Sequence, residues 1–328
     1  MSLAVENPIV ALHICLQQEM LSINTLTLDR IQSKIGLVQQ VAQHLIQAGG
    51  KRLRPLLTLA CSRLFSDEPG YALHLATAVE LIHTATLLHD DVIDESPLRR
   101  GQPTASSLWG NAPSVLVGDF LFSKAFELMV ETKNQAVLHV LSRAAACIAE
   151  GEVLQLTASS DIDLSLESYL EIIGAKTASL FAAACQVGGM IVGMPQNLEE
   201  DLYQFGYNLG IIFQMTDDLL DYNLSGTYAD KAVGNDFYEG KVTFPVLVMC
   251  QEEEGYETWK RYFHQSIRTP ADFEQARQYL IDHNIFQKCH QKILEFTKNS
   301  KKLLLKMPFS MIRNDLENLI DYCVIRSF

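Results

Sequence analysis

No CxxC pair occurs in this chain: its seven cysteines, at positions 15, 61, 147, 185, 250, 289 and 323, are odd in number and scattered. That spacing excludes a zinc ribbon or a disulfide framework and predicts reduced core thiols in a cytosolic protein. Basic residues are scarce too, with 26 Lys and Arg against 39 Asp and Glu and a formal net charge of -13. Such a charge repels nucleic acid and anionic lipid, both of which are bound through clustered Lys and Arg. An anionic ligand must then be met by a local basic cluster or by metal. The N-terminus, MSLAVENPIV, lacks the basic stretch and apolar run of a secretory signal. A continuous membrane span is missing as well. The uncharged segment from Thr177 to Leu198 is interrupted by Ser179, Gln186, Gly188, Gly189, Gly193 and Pro195, and reads as a buried helix.

Apolar residues are present in good supply. They make up 48% of the 328 residues and charged ones 20%, a balance that offsets the entropy of ordering the chain. Nearly every long segment spaces them helically and none alternates as a half-buried strand does, which predicts an all-α protein. Residues 30 to 48 are expected to form a helix closed by Gly49 and Gly50, with Pro55 in the first turn of the next and a basic loop, Lys51 to Arg54, held between. A long apolar helix over 71–95 ends in acids, and 96–113, with its Pro and Gly residues, reads as a loop. Further helices are expected over 114–131, 134–158, 166–193 and 198–223, then a polar loop over 225–240. Thr269, Pro270 and Asp272 mark another helix start. Without a low-complexity tract or long linker, residues 1–328 are expected to form one domain.

Two segments share the pattern Asp-Asp-x-x-Asp: Asp90, Asp91 and Asp94 in LLHDDVID, and Asp217, Asp218 and Asp221 in MTDDLLD. With 18 Asp in the chain, two chance matches arise on the order of once in a thousand such sequences. On a helix the first and last Asp of each motif share a face, and the middle one is turned away by about 100 degrees. Asp90 with Asp94, and Asp217 with Asp221, are therefore the candidate metal ligands. Unpaired carboxylates in apolar helices are costly, so a cation must compensate them. All-oxygen ligands favour a hard ion, and magnesium shared with substrate phosphates fits. Solvated acidic helix ends are the plainer reading, set aside because both clusters follow apolar runs with basic loops beside them. The segment GGKRLRP over 49–55 sets cations beside glycines and the N–H groups of a helix start, an anion site suited to a diphosphate. Arg99 and Arg100 follow Asp94 closely and bring forked donors for phosphate oxygens. Lys176, Lys231 and Lys241 are further candidates, and His83 lies two turns before Asp90 on the same helix face.

These residues resemble the trans-type polyprenyl diphosphate synthases. GGKRLRP, LIHTATLLHDDVIDESPLRRG, GEVLQL, KTASLF, FQMTDDLLDY and GNDFYEGKVTFP match that family's pattern, and the similarity covers most of the chain, weakest toward the C-terminus. Within the family the chain looks most like the bacterial octaprenyl diphosphate synthases of quinone biosynthesis. The resemblance implies a bundle of long helices around a central cavity, of the isoprenoid synthase type. It also implies magnesium-dependent, successive head-to-tail condensation of isopentenyl diphosphate with an allylic diphosphate such as farnesyl diphosphate. By the same resemblance Lys51, Arg54, His83 and Arg100 hold isopentenyl diphosphate, while Arg99, Lys176, Thr177, Gln214 and Lys231 face the allylic diphosphate. Magnesium is held by Asp90, Asp94 and Asp217, and Lys176 and Gln214 join these in the catalytic set. A cytoplasmic homodimer without stable membrane insertion is implied as well.

Product length is expected to depend on what lies beneath the first acidic motif. Ala85 and Thr86, five and four residues before Asp90, sit about 6 to 7.5 Å back along the helix. Short-chain members of the family carry a bulky aromatic there, so these small residues imply an open pocket and a long product. Phe122, Phe126 and Met129 are either a floor further down or core packing. Heptaprenyl, nonaprenyl and geranylgeranyl products are the alternatives. A terpene cyclase has no use for GGKRLRP or a second DDxxD, and a non-catalytic subunit of a heteromeric synthase would lack part of the metal set.

Overall fold

The computed structural model describes residues 7–47, 49–158, 161–222, 233–265 and 267–325. Its first elements are α1 (Pro8–Cys15), α2 (Gln17–Arg30), α3 (Gly36–Gln47), α4 (Leu53–Arg63) and α5 (Ala72–Ile93). A hairpin follows, β1 (Leu98–Arg99) paired antiparallel with β2 (Gln102–Pro103), then α6 (Ala105–Trp109), α7 (Asn111–Glu131) and α8 (Gln135–Ala158). Next come α9 (Leu166–Ile173), a π turn (Gly174–Ala178), α10 (Ser179–Ile191), a 3-10 turn (Gln196–Leu198) and α11 (Glu199–Tyr222). The chain closes with α12 (Asn235–Glu239), α13 (Phe244–Met249), α14 (Glu253–Phe263), α15 (Pro270–Asp282), α16 (Ile285–Leu304) and α17 (Met311–Ile325). The fold is all-α, as expected.

These elements gather into two compact units. The first comprises Met1–Ala145, Leu180–Tyr203 and Leu305–Leu316; the second comprises Ala146–Ser179, Gln204–Leu304 and Glu317–Phe328. In the first unit α5 is the centre, because it is apolar on nearly every face: Leu75, Val79, Leu81, Ile82, Ala85 and Leu88 are all buried. α5 packs on α7, and Gly118 is what lets the two helices close. A Cβ there would lie 2.2 Å from His89 Nε2, which bonds the Val115 carbonyl at 3.2 Å. In the second unit aromatic rings surround α12, with Phe237 5.6 Å from both Trp259 and Phe273. Arg268 fastens that cluster by donating to the carbonyls of Tyr238, Tyr262 and Phe263.

Several boundaries differ from the expectations. The helix expected over 30–48 begins at Gly36, because Ser33 Oγ takes the Ile35 N–H at 3.1 Å and offers the backbone a rival to helix. Arg54 lies inside the first turn of α4 with Pro55, so the basic loop is shorter than Lys51 to Arg54. The segment 96–113 holds a hairpin and a short helix. Arg100 (φ 53) and Gly101 (φ 75) form its two-residue turn, and strands of two residues are too short to show alternation. Five-residue α12 lies within the polar segment over 225–240, of which residues up to 232 fall outside the described ones. Thr269 does open α15, through a capping box with Asp272. The helical run Leu166–Ile191 is the one long and apolar enough to cross a membrane among the described residues, and 72% of its apolar window is buried in protein.

Candidate active site

In the first unit, cations converge where α4 begins beside α5. Arg52 caps α4 in the left-handed region (φ 45), and Gly50 before it has φ 155. A Cβ at Gly50 would lie 2.6 Å from Arg100 Nη1, so only glycine lets that guanidinium rest on the loop backbone. Arg54 Nη1 donates to His83 Nε2 at 3.1 Å, and its guanidinium lies 4.5 Å over the Phe181 ring. Burial pulls the Arg54 pKa down to about 10, against the pull of Glu80, and the buried Arg54 Nε has no hydrogen-bond partner. Burial also holds His83 well below its usual range, helped by Arg54, Arg100 and Arg99. Glu80 is pushed up by burial, against Arg52, Arg54 and Arg100. Three arginines, Arg52, Arg54 and Arg100, around one buried carboxylate and a histidine held neutral leave surplus positive charge, the field an anion requires. Lys51 is exposed beside them, its carbonyl bonded by His13 Nε2 at 3.1 Å.

The first acidic motif ends α5. Asp90 lies in the last turn, half-buried, and Asp94 is the exposed C-cap, its N–H on the Asp90 carbonyl at 2.8 Å. Asp91, the middle residue, is turned inward as expected. Its side chain is 1% exposed and accepts from Arg99 Nε at 2.8 Å. Below the motif Ala85 is fully buried, and half-buried Thr86 donates its hydroxyl back to the His83 carbonyl. Met129 is core, Phe122 stacks on His89 at 6.0 Å, and Phe126 is 41% exposed, so Phe126 serves neither as floor nor as core packing.

In the second unit Lys176 and Thr177 sit inside the π turn, a widened helical turn that recurs at functional sites. Two glycines let it be packed. A Cβ at Gly151 would lie 2.7 Å from the Lys176 nitrogen, and one at Gly174 would lie 2.2 Å from the Tyr207 hydroxyl. Lys176 Nζ pairs with Glu152 at 2.8 Å. Thr177 Oγ1 donates to Gln214 Oε1 at 3.0 Å, and Gln214 Nε2 donates to Asp218 Oδ1 at 2.9 Å. Asp218 Oδ2 accepts from the Tyr169 hydroxyl at 2.6 Å and from Phe244 N at 3.2 Å. Burial pushes Asp218 up to about 6, against these three bonds. Lys176, Thr177, Gln214, Asp218 and Lys241 line one cavity of about 210 Å³. Half-buried Asp217 precedes Asp218 near the end of α11. Asp221 caps α12 instead of standing clear: its oxygens accept the N–H groups of Asn235 and Asp236 at 3.2 and 2.9 Å. Burial raises its pKa against those bonds. Lys231 lies outside the described residues.

Both acidic motifs therefore close helix C-termini, α5 and α11, with no basic residue in either last turn. Carboxylates there oppose the negative end of the helix dipole, so a cation is the natural complement. Among the described residues no group of three or more His, Cys, Asp and Glu side chains forms a ready cage. The motifs were legible in the sequence; Tyr169, Glu80 and Glu152 were not singled out. Tyr169 stands seven residues before Lys176, two turns back on the same face, a signal that ordinary core tyrosines share.

A family model described as polyprenyl synthetase matches residues 36–280, which include both acidic motifs, the basic segments and the π turn. The octaprenyl diphosphate synthase of Escherichia coli (strain K12) is 45% identical over 230 residues, 70% of this chain and 71% of that protein. A crystal structure of a decaprenyl diphosphate synthase from Rhodobacter capsulatus superposes with TM-score 0.91 at 43% identity, covering 98% of this chain and 99% of that one. A polyprenyl synthase from Caulobacter crescentus CB15, complexed with calcium and isoprenyl diphosphate, does so with TM-score 0.91 at 45% identity and 98% of each chain. With a family model over most of its length and relatives this similar, the chain belongs to the polyprenyl synthetase family and is a prenyltransferase.

Proposed function

We propose that this chain is a long-chain trans-polyprenyl diphosphate synthase, an octaprenyl diphosphate synthase by its nearest chemistry, adding isopentenyl diphosphate repeatedly to an allylic diphosphate such as farnesyl diphosphate to supply a quinone side chain. The observation that carries the reading is the surplus of positive charge at Arg52, Arg54 and Arg100, around Glu80 and His83, in the same unit as a helix end bearing Asp90 and Asp94. Residues 1–328 act as one synthase domain, since the family model runs through both units.

Lys51, Arg54, His83 and Arg100 hold the diphosphate of isopentenyl diphosphate, which stays intact and is gripped by side chains alone. Arg99, Lys176, Thr177, Gln214 and Lys231 hold the allylic diphosphate, which leaves. Asp90, Asp94 and Asp217 would hold magnesium, with Asp221 as a further carboxylate ligand. Bound magnesium stabilises the charge that develops on the departing diphosphate. The side chains fix both substrates in register, so that the isopentenyl double bond meets the allylic carbon as its C–O bond breaks. The proton lost afterwards goes to the released diphosphate, and no protein base is assigned. The protein acts in the cytoplasm as a homodimer. The scattered placing of its seven cysteines suits a reducing compartment, and α7 turns Leu116, Phe126 and Val130 outward as an apolar face for a second copy.

Incubation with farnesyl diphosphate, labelled isopentenyl diphosphate and magnesium should give a ladder of dephosphorylated products ending near eight isoprene units. No elongation from any allylic primer would refute the enzyme reading in favour of a non-catalytic subunit. Ala85→Phe puts a ring at a fully buried position of α5 and should shorten the ladder by several units. An unchanged ladder would remove the pocket from beneath Asp90.

A further inference from the structure

Arg99 and Arg100 project from a hairpin too short to hold its own direction. Its rungs are Leu98 with Pro103 and Arg99 with Gln102, and Pro103 has no N–H to give. A pair of strands of that length is marginal in water by itself. Ties from outside fix it. At the base Thr104 N donates to the Pro97 carbonyl at 3.1 Å and Thr104 Oγ1 to the Ser96 carbonyl at 2.7 Å. On the first strand Arg99 Nε donates to Asp91 at 2.8 Å. A further tie comes from α3: His44 Nε2 lies 2.8 Å from the Pro103 carbonyl, and its ring stands nearly perpendicular to that of Trp109, with centroids 5.3 Å apart. A carbonyl only accepts, so Nε2 carries a proton and donates it.

That bond closes a circuit. His44 sits on the helix that leads, six residues on, to Gly50. Gly50 is where the Arg100 guanidinium rests, since a Cβ there would lie 2.6 Å from Nη1. Arg100 in turn stands at the turn of the hairpin whose second strand ends in Pro103. The loop before α4 and the hairpin turn are thus held in register by a side chain that belongs to neither. Arg100 depends on it most. Arg99 has Asp91 for its own anchor, whereas the Arg100 side chain makes no hydrogen bond or ion pair among the described residues and is aimed by the hairpin that carries it. A guanidinium that turns freely gives up that freedom on meeting an anion; one already aimed has less to lose, and binding is tighter by the difference. Resting on the assignment of Arg100 to isopentenyl diphosphate, we infer that His44 is a positioning residue for that site, its bond to the Pro103 carbonyl aiming Arg100 across the loop before α4 at the diphosphate.

His44→Phe keeps a ring against Trp109 and removes the donor, and His44→Leu serves in its place should that variant fail to fold. Calorimetric titration of the full chain with inorganic diphosphate, without magnesium, reads the cationic site whatever substrate it serves. His44→Phe should bind diphosphate about fivefold more weakly than the parent, the range of one hydrogen bond. In an Arg100→Ala background the same change should cost nothing further, because no guanidinium is left to aim. In steady-state turnover KM for isopentenyl diphosphate should rise by a similar factor, with kcat and KM for the allylic substrate unmoved. No diphosphate binding by the parent, equal affinity of parent and His44→Phe, or a full loss repeated in the Arg100→Ala background overturns the inference. An equal rise in both KM values overturns it as well, by reducing the bond to a general support of the hairpin. Failure of a diphosphate-binding parent to elongate farnesyl diphosphate would strike the substrate assignment instead, and the titrations would still decide the role of His44.

Discussion

Arg54 has donors and no acceptor, so the 3.1 Å contact with His83 requires a lone pair on Nε2 and the imidazole proton on Nδ1. Burial and three nearby guanidinium groups keep that ring neutral, so that it accepts from Arg54 without adding a further cation to the cluster. Tyr169 plays the matching part in the second unit. Its hydroxyl and Phe244 N converge on one oxygen of Asp218, whose other oxygen holds the Gln214 amide with Nε2 toward the acid and Oε1 toward Thr177. One tyrosine thus orients two side chains assigned to the allylic diphosphate. Tyr169→Phe keeps the ring stacked on Phe244 at 6.0 Å and removes the donor, at a cost of about 1–3 kcal/mol for a buried acceptor left short. Steady-state kinetics should show KM for the allylic substrate rising several-fold with KM for isopentenyl diphosphate unmoved. Equal changes in both would reduce the bond to a structural one.

Helix ends and one helical irregularity do the positioning at the next scale. The π turn carries Lys176 and Thr177 side by side, and α8 approaches it through Gly151. In Gly151→Ala the new methyl meets the Lys176 backbone nitrogen at 2.7 Å, where nothing flexible can yield. The expected cost is about 1–3 kcal/mol of stability with a clear fall in kcat, read by thermal unfolding and turnover together; a variant as active and stable as the parent would show that the close approach is dispensable. Sequence periodicity located α5, α7, α8, the α9–α10 run and α11 to within a few residues, because a core-facing stripe over five or more turns is hard to mistake, but it was not read for α2, α16 or α17. It did not show the π turn, since one extra residue barely disturbs an apolar stripe. It did not show α12, whose five residues span little more than one turn, nor the hairpin around Arg100. The acidic motifs, by contrast, were legible down to the inward turn of Asp91, because helical geometry alone separates the middle residue from the outer two.

At the scale of the whole molecule, the outward apolar face of α7 should make the protein run at about twice 36.7 kDa in light scattering, and Leu116→Glu with Val130→Glu should yield monomer. A monomeric parent would leave that face without its assigned partner. Acid stability is the second global property that the site sets. Asp218 titrates near 6 in the folded chain, against a usual 3.8, and Asp221 and Asp236 are raised with it by burial. A carboxyl raised on folding holds its proton longer in the native state than in the unfolded one. Between about pH 4 and 6 the native state therefore binds more protons, and its stability falls as pH rises through that window. For Asp218 alone the loss approaches about 3 kcal/mol as an upper bound, at 1.36 kcal/mol for each tenfold change in proton affinity. His83, lowered on folding, contributes with the opposite sign, so the Asp218 part is isolated only by comparison. Urea unfolding of the metal-free protein and of Asp218→Asn at pH 4 and pH 7 makes that comparison, since asparagine keeps the size and loses the charge. The parent should lose more stability than the variant between the two pH values; parallel losses would mean that Asp218 ionises without penalty where it lies.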